Sequence, residues 1–251
     1  MQAIVILGGK GTRLNLFSRR VNNKSLAIVY KNLVFEYPLN TLVKAGITDI
    51  TLVLGYRYAG DMVNVIGNAK EFGVTSINYV YQKEAAGISD AIRTARGTIK
   101  DKCAVILGDN FFEDDISQYV KEFEKQDKGC AVFYKEVPDP QRYGVAEIDS
   151  SSNVIDIVEK PKNPKTNLAV TGLYFYDNTL FDKIDKLQPS ARGELEVTDL
   201  NMLYVKEGTC KAYPIKGYWN DMGTFDSILD TANFIKNNNF QLNYTIDAWK
   251  S

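Results

Sequence analysis

The sequence predicts an α/β fold: a Rossmann-like, mostly parallel central sheet with helices on both faces and a mixed, partly antiparallel extension. Three observations carry this reading. Short apolar runs such as AIVIL (3–7), DITLVLG (49–55) and CAVILGD (103–109) have the length and composition of buried strands. Helix-like segments alternate with them through the first half, and that βαβ rhythm implies parallel pairing. After Asp115 the rhythm breaks, and four strand-like runs follow one helix with little helix between them.

In chain order, AIVIL is the first strand and EYPLNTLVKAG (36–46) a helix closed by Gly46. DITLVLG is the second strand, GDMVNVIGNAKEFG (60–73) a helical region, SINYVYQ (76–82) a strand and ISDAIRTARG (88–97) a helix. CAVILGD follows as a strand and ISQYVKEFEKQ (116–126) as an amphipathic helix. The extension reads as strands CAVFYKEV, GVAEID, NVIDIVEK and AVTGLYFYD. Helices return at NTLFDKIDKL (178–187), ELEVTDLNMLYVKEG (194–208) and TFDSILDTANFIKNN (224–238). Nothing resembles a linker, a low-complexity tract or a repeat. The 251 residues therefore read as one domain, 1–251, with a nucleotide-sized half to about 110 and a completing half from about 111.

Composition removes several chemistries. The chain has no histidine, which excludes imidazole bases, Ser-His and Cys-His nucleophile pairs and His-containing zinc sites. Carboxylates, lysines, arginines or a bound metal must carry any catalysis. Thirty basic and 31 acidic residues are spread evenly, with no basic stripe, which argues against nucleic acid as a partner. No apolar stretch is long enough to span a membrane. Cys103, Cys130 and Cys210 sit in strand-like runs without metal-ligand spacing, and read as buried reduced thiols in a cytoplasmic protein.

In open parallel sheets, ligands bind beyond the carboxyl ends of the strands. Two features fall there: the turn Gly8-Gly9-Lys10-Gly11-Thr12-Arg13 after the first strand, and Asp109 after CAVILG. The turn is not a Walker A loop, because Lys10 is followed by Gly11. Nor is it a dinucleotide fingerprint, since a third glycine and an acid at the end of the second strand are both missing. An anion-binding turn with Arg13 and Lys24 nearby remains, against the alternative of a surface turn with solvated charges.

The pattern GG-x-GTRL, followed by a lysine after about ten residues, resembles the sugar-1-phosphate nucleotidyltransferases. LGDNFF, DPQRYGVAEID, VEKPKNPKTNLAVTGLYFYD, LQPSARGELEVTDLN and YWNDMGT extend the resemblance in order from Met1 to about Phe234. Within that family they look like the glucose-1-phosphate thymidylyltransferases of the short form, which lack a C-terminal regulatory extension. The resemblance implies dTTP and glucose 1-phosphate as substrates, dTDP-glucose and pyrophosphate as products, Mg2+ as cofactor, and a homo-oligomer, by analogy a tetramer. Uridylyl or cytidylyl transfer, or a non-catalytic nucleotide-sugar sensor, are the alternatives.

The resemblance also assigns roles. Asp109 and Asp221 are expected to bind the metal, and with Arg13 and Lys24 they form the catalytic set. Leu7, Gly8, Gly9, Gly11, Thr12, Arg13, Gln82, Gly87 and Asp109 are expected on the nucleotide. Tyr143, Gly144, Glu159, Lys160, Val170 and Arg192 are expected on the sugar phosphate, with Glu194 orienting Arg192. Standing alone, Asp221 would read as a cap and Glu159–Lys160 as a surface ion pair. The chemistry suits a chain without histidine, because a phosphate monoester is already largely dianionic at neutral pH and needs no general base. Departures from the family pattern are Leu7, Lys10, Leu16, Ser25, Ile28, Leu33 and Met222, and those at Lys10 and Ser25 bear on selectivity. The lost prolines predict a looser loop, because proline acts largely by restricting the unfolded chain.

Overall fold

The computed structural model describes residues 1–9, 14 and 23–244. Strand β1 (Gln2–Ile6) lies inside the parallel part of the sheet. It pairs in parallel with β4 (Asp49–Gly55) on one side and β6 (Cys103–Leu107) on the other, and β5 (Ser76–Gln82) adds in parallel beyond β4. β2 (Ile28–Val29) and β3 (Asn32–Leu33) form a small separate hairpin.

The antiparallel extension starts at β11 (Leu168–Tyr176), which runs against β6. β8 (Cys130–Glu136), β9 (Gly144–Ile148) and β10 (Val154–Glu159) build on it, and β12 (Cys210–Pro214) pairs in parallel with β8. The nine strands make one continuous sheet across both halves of the chain.

Alternation along each strand sends side chains to opposite faces. Ala3, Val5 and Leu7 pack on one face with α1 (Glu36–Lys44), α2 (Ala59–Ile66) and α4 (Ser117–Glu124). Ile4 and Ile6 pack on the other with α3 (Ile88–Thr94), α5 (Leu180–Ile184) and α6 (Val197–Lys206). Helices on both faces of a mostly parallel sheet are what the βαβ rhythm predicted. A third cluster joins Val29, Val34, Tyr37, Phe111, Met222 and Ile235, fastening the hairpin to α7 (Phe225–Asn237).

Local signals held where they were strong. Gly46 adopts φ 81°, and Ile47 N–H donates to Leu42 C=O at 3.0 Å, which closes α1. Thr224 and Ser227 cap the start of α7 reciprocally, at 3.1 and 3.0 Å. The helix expected over 194–208 instead begins at Val197, because Glu196 is extended with ψ 138°. The helix expected over 178–187 is only Leu180–Ile184, and the region 60–73 splits into α2 and a single 3-10 turn at Lys70–Phe72.

The cysteines are buried, as read. Burial pushes the Cys103 thiol up to about 12, and it raises Cys130 as well.

Glu36 is a buried carboxylate at the start of α1. It accepts from Asn32 Nδ2 at 2.8 Å and Leu33 N–H at 3.1 Å, yet desolvation raises its pKa above the ordinary 4.5. A carboxyl whose folded pKa is raised adds stability below its unfolded pKa and loses it as pH climbs through the folded value. Glu36→Gln keeps an acceptor oxygen and cannot ionise. Its melting temperature should therefore gain on the wild type between pH 4 and pH 7, and a pH-independent difference in thermal unfolding would refute this.

Candidate active site

The carboxyl ends of β1, β4, β5 and β6 lie along one sheet edge, and the site grows from that edge. Leu7 N–H still bonds Val53 C=O at 2.9 Å, so Gly8 leaves β1 directly between its neighbours. A methyl at Gly8 would lie 3.4 Å from both Gln82 Oε1 and Gly55 N. Leu7, Gly8, Gly9 and Gln82 are thus brought together, and Gly9 turns the chain at φ 120°. Lys10, Gly11, Thr12, Arg13 and Leu16 lie outside the described residues.

Gln82 Nε2 donates to Gly87 C=O at 3.2 Å and to Asp90 Oδ2 at 2.8 Å, leaving Oε1 toward the glycine turn. Gly87 has φ 105°, and a methyl there would fall 2.5 Å from Leu195 C=O. The reason is a tight docking of loop on loop: Leu195 N–H donates to Ala86 C=O at 2.8 Å, and Ser89 N–H to Leu195 C=O at 3.2 Å. This joins the Gln82 loop to the segment that carries Arg192.

Lys24 sits on a single 3-10 turn (Lys24–Leu26) tied to the end of β1. Asn23 accepts from Ser25 N–H at 2.9 Å and donates Nδ2–H to Leu7 C=O at 3.2 Å. This places the Lys24 ammonium on Asp109 Oδ2, with both side chains largely buried. Ser25 is fully buried, and among the described residues its hydroxyl has no hydrogen-bond partner.

Asp109 ends the turn after β6, and its other oxygen accepts from Asn110 Nδ2 at 3.2 Å. The next residues form β7 (Asn110–Phe112), which pairs antiparallel with β13 (Trp219–Asp221). Asp221 lies directly across from Asn110, and Met222 N–H donates to Asp109 C=O at 2.7 Å. The two aspartates therefore occupy abutting backbone positions although 112 residues separate them. Asp221, which alone would read as a cap, instead ends strand β13. Three residues facing a distant partner leave no local periodicity to read.

Asn110 is the hub of the site. Its Oδ1 accepts from Trp219 Nε1–H at 2.8 Å and Gly172 N–H at 3.1 Å. A methyl on Gly172 would strike this amide at 2.7 Å, and β11 shifts register between Val170 and Tyr174 to accommodate it. Trp219 then packs edge-on against Tyr143, with ring centroids 5.2 Å apart. Nearby, Arg142 is held charged chiefly by its hydrogen bond to Asp139, with a smaller contribution from Asp221.

Past Tyr143, Gly144 faces Glu159 across β9 and β10. A methyl at Gly144 would lie 3.4 Å from Glu159 Oε2, which accepts from Thr198 Oγ1–H at 2.8 Å. Glu159 Oε1 lies 3.3 Å from Lys160 Nζ and 4.0 Å from an Arg192 nitrogen. Lys160 takes φ 45°, and its N–H donates to Tyr143 C=O at 3.0 Å.

Arg192 is oriented by Glu196, not by Glu194. Its Nη2 bonds both Glu196 oxygens at 2.9 Å, while Glu194 stands 3.9 Å away. The late start of α6 goes with this, because Glu196 is extended instead of helical and its carboxylate turns back to Ser190, whose hydroxyl also binds it at 2.7 Å. Val170 is buried on β11, next to the bulge that reaches Asn110.

The described candidates thus form one contiguous path. It runs from Gly8 and Gln82 through Gly87 to the Arg192 segment, and from Lys24 and Asp109 through Asn110, Trp219 and Tyr143 to Glu159. Asn23, Asn110, Glu196, Thr198 and Trp219 were not foreseen as parts of it. Only Asn110 carried a signal, as the polar residue in LGDN that continues an apolar strand.

Comparison with known proteins bears on this arrangement. The family profile described as "Nucleotidyl transferase" matches residues 2–238. A glucose-1-phosphate thymidylyltransferase of Neisseria meningitidis is 36% identical over 240 residues, covering 94% of this chain and 83% of that protein. One from Mycolicibacterium smegmatis is 38% identical over 240 residues, covering 94% and 82%. A crystal structure of a provisionally assigned glucose-1-phosphate thymidylyltransferase from Bacillus anthracis, with sucrose bound, superposes with TM-score 0.89 at 41% identity, covering 96% and 97%. A UDP-glucose pyrophosphorylase bound to UDP-glucose shares the fold, with TM-score 0.83 at 22% identity, covering 94% and 98%. Among the described residues, no helix is long and apolar enough to cross a membrane.

Proposed function

The chain belongs to the nucleotidyl transferase family, and we propose that it transfers a thymidylyl group from dTTP to α-D-glucose 1-phosphate, releasing dTDP-glucose and pyrophosphate. The observation that carries this reading is the contact path from the Lys24–Asp109 pair to Glu159. It supports a cation-bearing triphosphate site beside a carboxylate suited to sugar hydroxyls.

The sugar phosphate oxygen attacks the α-phosphorus, the bond to the β-phosphate oxygen breaks, and pyrophosphate leaves. No proton need be removed from the nucleophile. What this chain must supply is position and positive charge. Glu159, oriented by Thr198, accepts from sugar hydroxyls; Lys160 and Arg192 hold the 1-phosphate; Tyr143, Gly144 and Val170 shape the pocket. Lys24 and Arg13 stabilise charge on the α-phosphoryl group and the leaving pyrophosphate.

The Asp109 and Asp221 carboxylates fit a hard divalent cation that takes one or two carboxylates and completes its shell with phosphate oxygens and water. Mg2+ bound there would neutralise charge on the α-phosphate. Among the described residues no group of three metal-ligating side chains occurs, so the nucleotide itself is expected to supply the remaining ligands. A cytoplasmic homo-oligomer, by resemblance a tetramer, completes the proposal.

Base selection rests on Gln82. With Nε2 engaged by Gly87 and Asp90, Oε1 is presented to the base, and Gly87 leaves room for the ring. An acceptor there suits the imide N–H of thymine or uracil and opposes the bare N3 of cytosine. Thymine and uracil differ by one methyl, worth roughly tenfold.

Pyrophosphate release, measured with dTTP, UTP and CTP against several sugar 1-phosphates, tests the reading. The expected result is highest kcat/KM with dTTP and glucose 1-phosphate, UTP within about tenfold, and CTP lower by about a hundredfold or more. Release from no pair by folded protein would favour a nucleotide-sugar sensor.

A further inference from the structure

We propose that Lys24 is the resident counter-ion of the metal site, holding Asp109 until a nucleotide-borne divalent cation displaces it. This rests on the metal role proposed for Asp109. Its basis is the pairing itself: the Lys24 ammonium bonds Asp109 Oδ2, one oxygen of the carboxylate assigned to the metal.

The pair is built into the fold on both sides. Asn23 fixes the Lys24 turn to Leu7, and Asn110 fixes the other Asp109 oxygen. The two side chains are only 17% and 9% exposed, so water screens their attraction poorly. A free divalent ion approaching Asp109 meets a carboxylate already neutralised, and must place two positive charges beside an ammonium. Metal alone is therefore held off.

A metal–nucleotide complex changes the balance, because it brings phosphate oxygens that can accept the Lys24 ammonium. The Lys24–Asp109 hydrogen bond breaks, the carboxylate passes to the metal, and the ammonium, still protonated, moves to the α-phosphate. One lysine thus has two successive partners. The exchange makes metal entry depend on nucleotide, and delivers Lys24 to the phosphorus as the site fills.

The test is Mn2+ binding to the full chain without nucleotide, followed by the electron paramagnetic resonance of free Mn2+. Lys24→Met and Lys24→Gln should bind Mn2+ about tenfold or more tighter than the wild type, although both lower kcat. Lys24→Arg, which keeps the charge, should not gain. In the Lys24→Met background, Asp109→Asn should abolish the gain. Unchanged or weaker Mn2+ binding in both neutral variants overturns the proposal, as does a gain that survives Asp109→Asn. A parallel titration with dTTP separates the two readings. Failure of Mn2+ to bind wild-type protein even with dTTP contradicts the metal role itself, whereas nucleotide-dependent binding with no effect of Lys24→Met contradicts only the counter-ion role.

Discussion

Asp109→Asn is expected to lower kcat by about a thousandfold, roughly 4 kcal/mol of transition-state stabilisation. The substitution preserves shape but removes the negative charge assigned to the metal. It also leaves the Lys24 ammonium facing a neutral amide. Asp221→Asn should cause a loss of the same order, since Asp221 lies across from Asn110, the residue after Asp109, and the two carboxylates are read as one site. Because they act as a unit, the double variant should be little worse than either single one. Thermal unfolding alongside steady-state kinetics distinguishes the alternative. If Asp109 merely closes the turn after β6, the melting temperature falls and kcat stays within tenfold.

Gly87→Ala is expected to damage both halves of the site at once. Its φ of 105° is strained for any L-residue, and the added methyl would lie 2.5 Å from Leu195 C=O and 2.7 Å from Leu195 N. Both atoms are backbone, so relief requires the two loops to separate. Strain of this kind costs about 1–3 kcal/mol. Separation also disturbs Gln82, through its bond to Gly87 C=O, and the Arg192–Glu196 segment beyond Leu195. KM should therefore rise for both dTTP and glucose 1-phosphate. A fair control is Gly97→Ala, where a methyl meets no atom of the described residues within 4 Å. A rise in only one KM would show that the docked loops do not couple the two halves of the site.

The parallel half of the fold was legible because its information is local. AIVIL, DITLVLG and CAVILG each declare a strand within five to seven residues, and Gly46 declares a helix end at one position. β13 was not read at all, and β12 only as the strand-like run at Cys210, for a different reason. CKAYP and WND are short and mixed in polarity, and they become strands only by pairing with β8 and β7, about 80 and 109 residues earlier. The start of α6 was misplaced because Glu194 and Glu196 are good helix formers, while the distant Ala86 and Ser89 backbone groups dock Leu195 and Glu196 stays extended.

The same distinction runs through the site. Charged candidates were found by motif, but what orients them was invisible in sequence. Asn110 serves three elements at once, holding Asp109, Trp219 and the β11 bulge at Gly172. Thr198 fixes Glu159 from a helix 39 residues away. Such roles depend on where chains cross, and no spacing rule encodes them.

The most direct measurement is an anomalous difference map from crystals grown with dTTP and Mn2+. The account predicts a peak within coordination distance of both Asp109 and Asp221 carboxylates and an α-phosphate oxygen, with Lys24 turned from Asp109 to the phosphate. A peak that touches neither aspartate, or a triphosphate bound away from the Gly8–Gly9 turn, would contradict it.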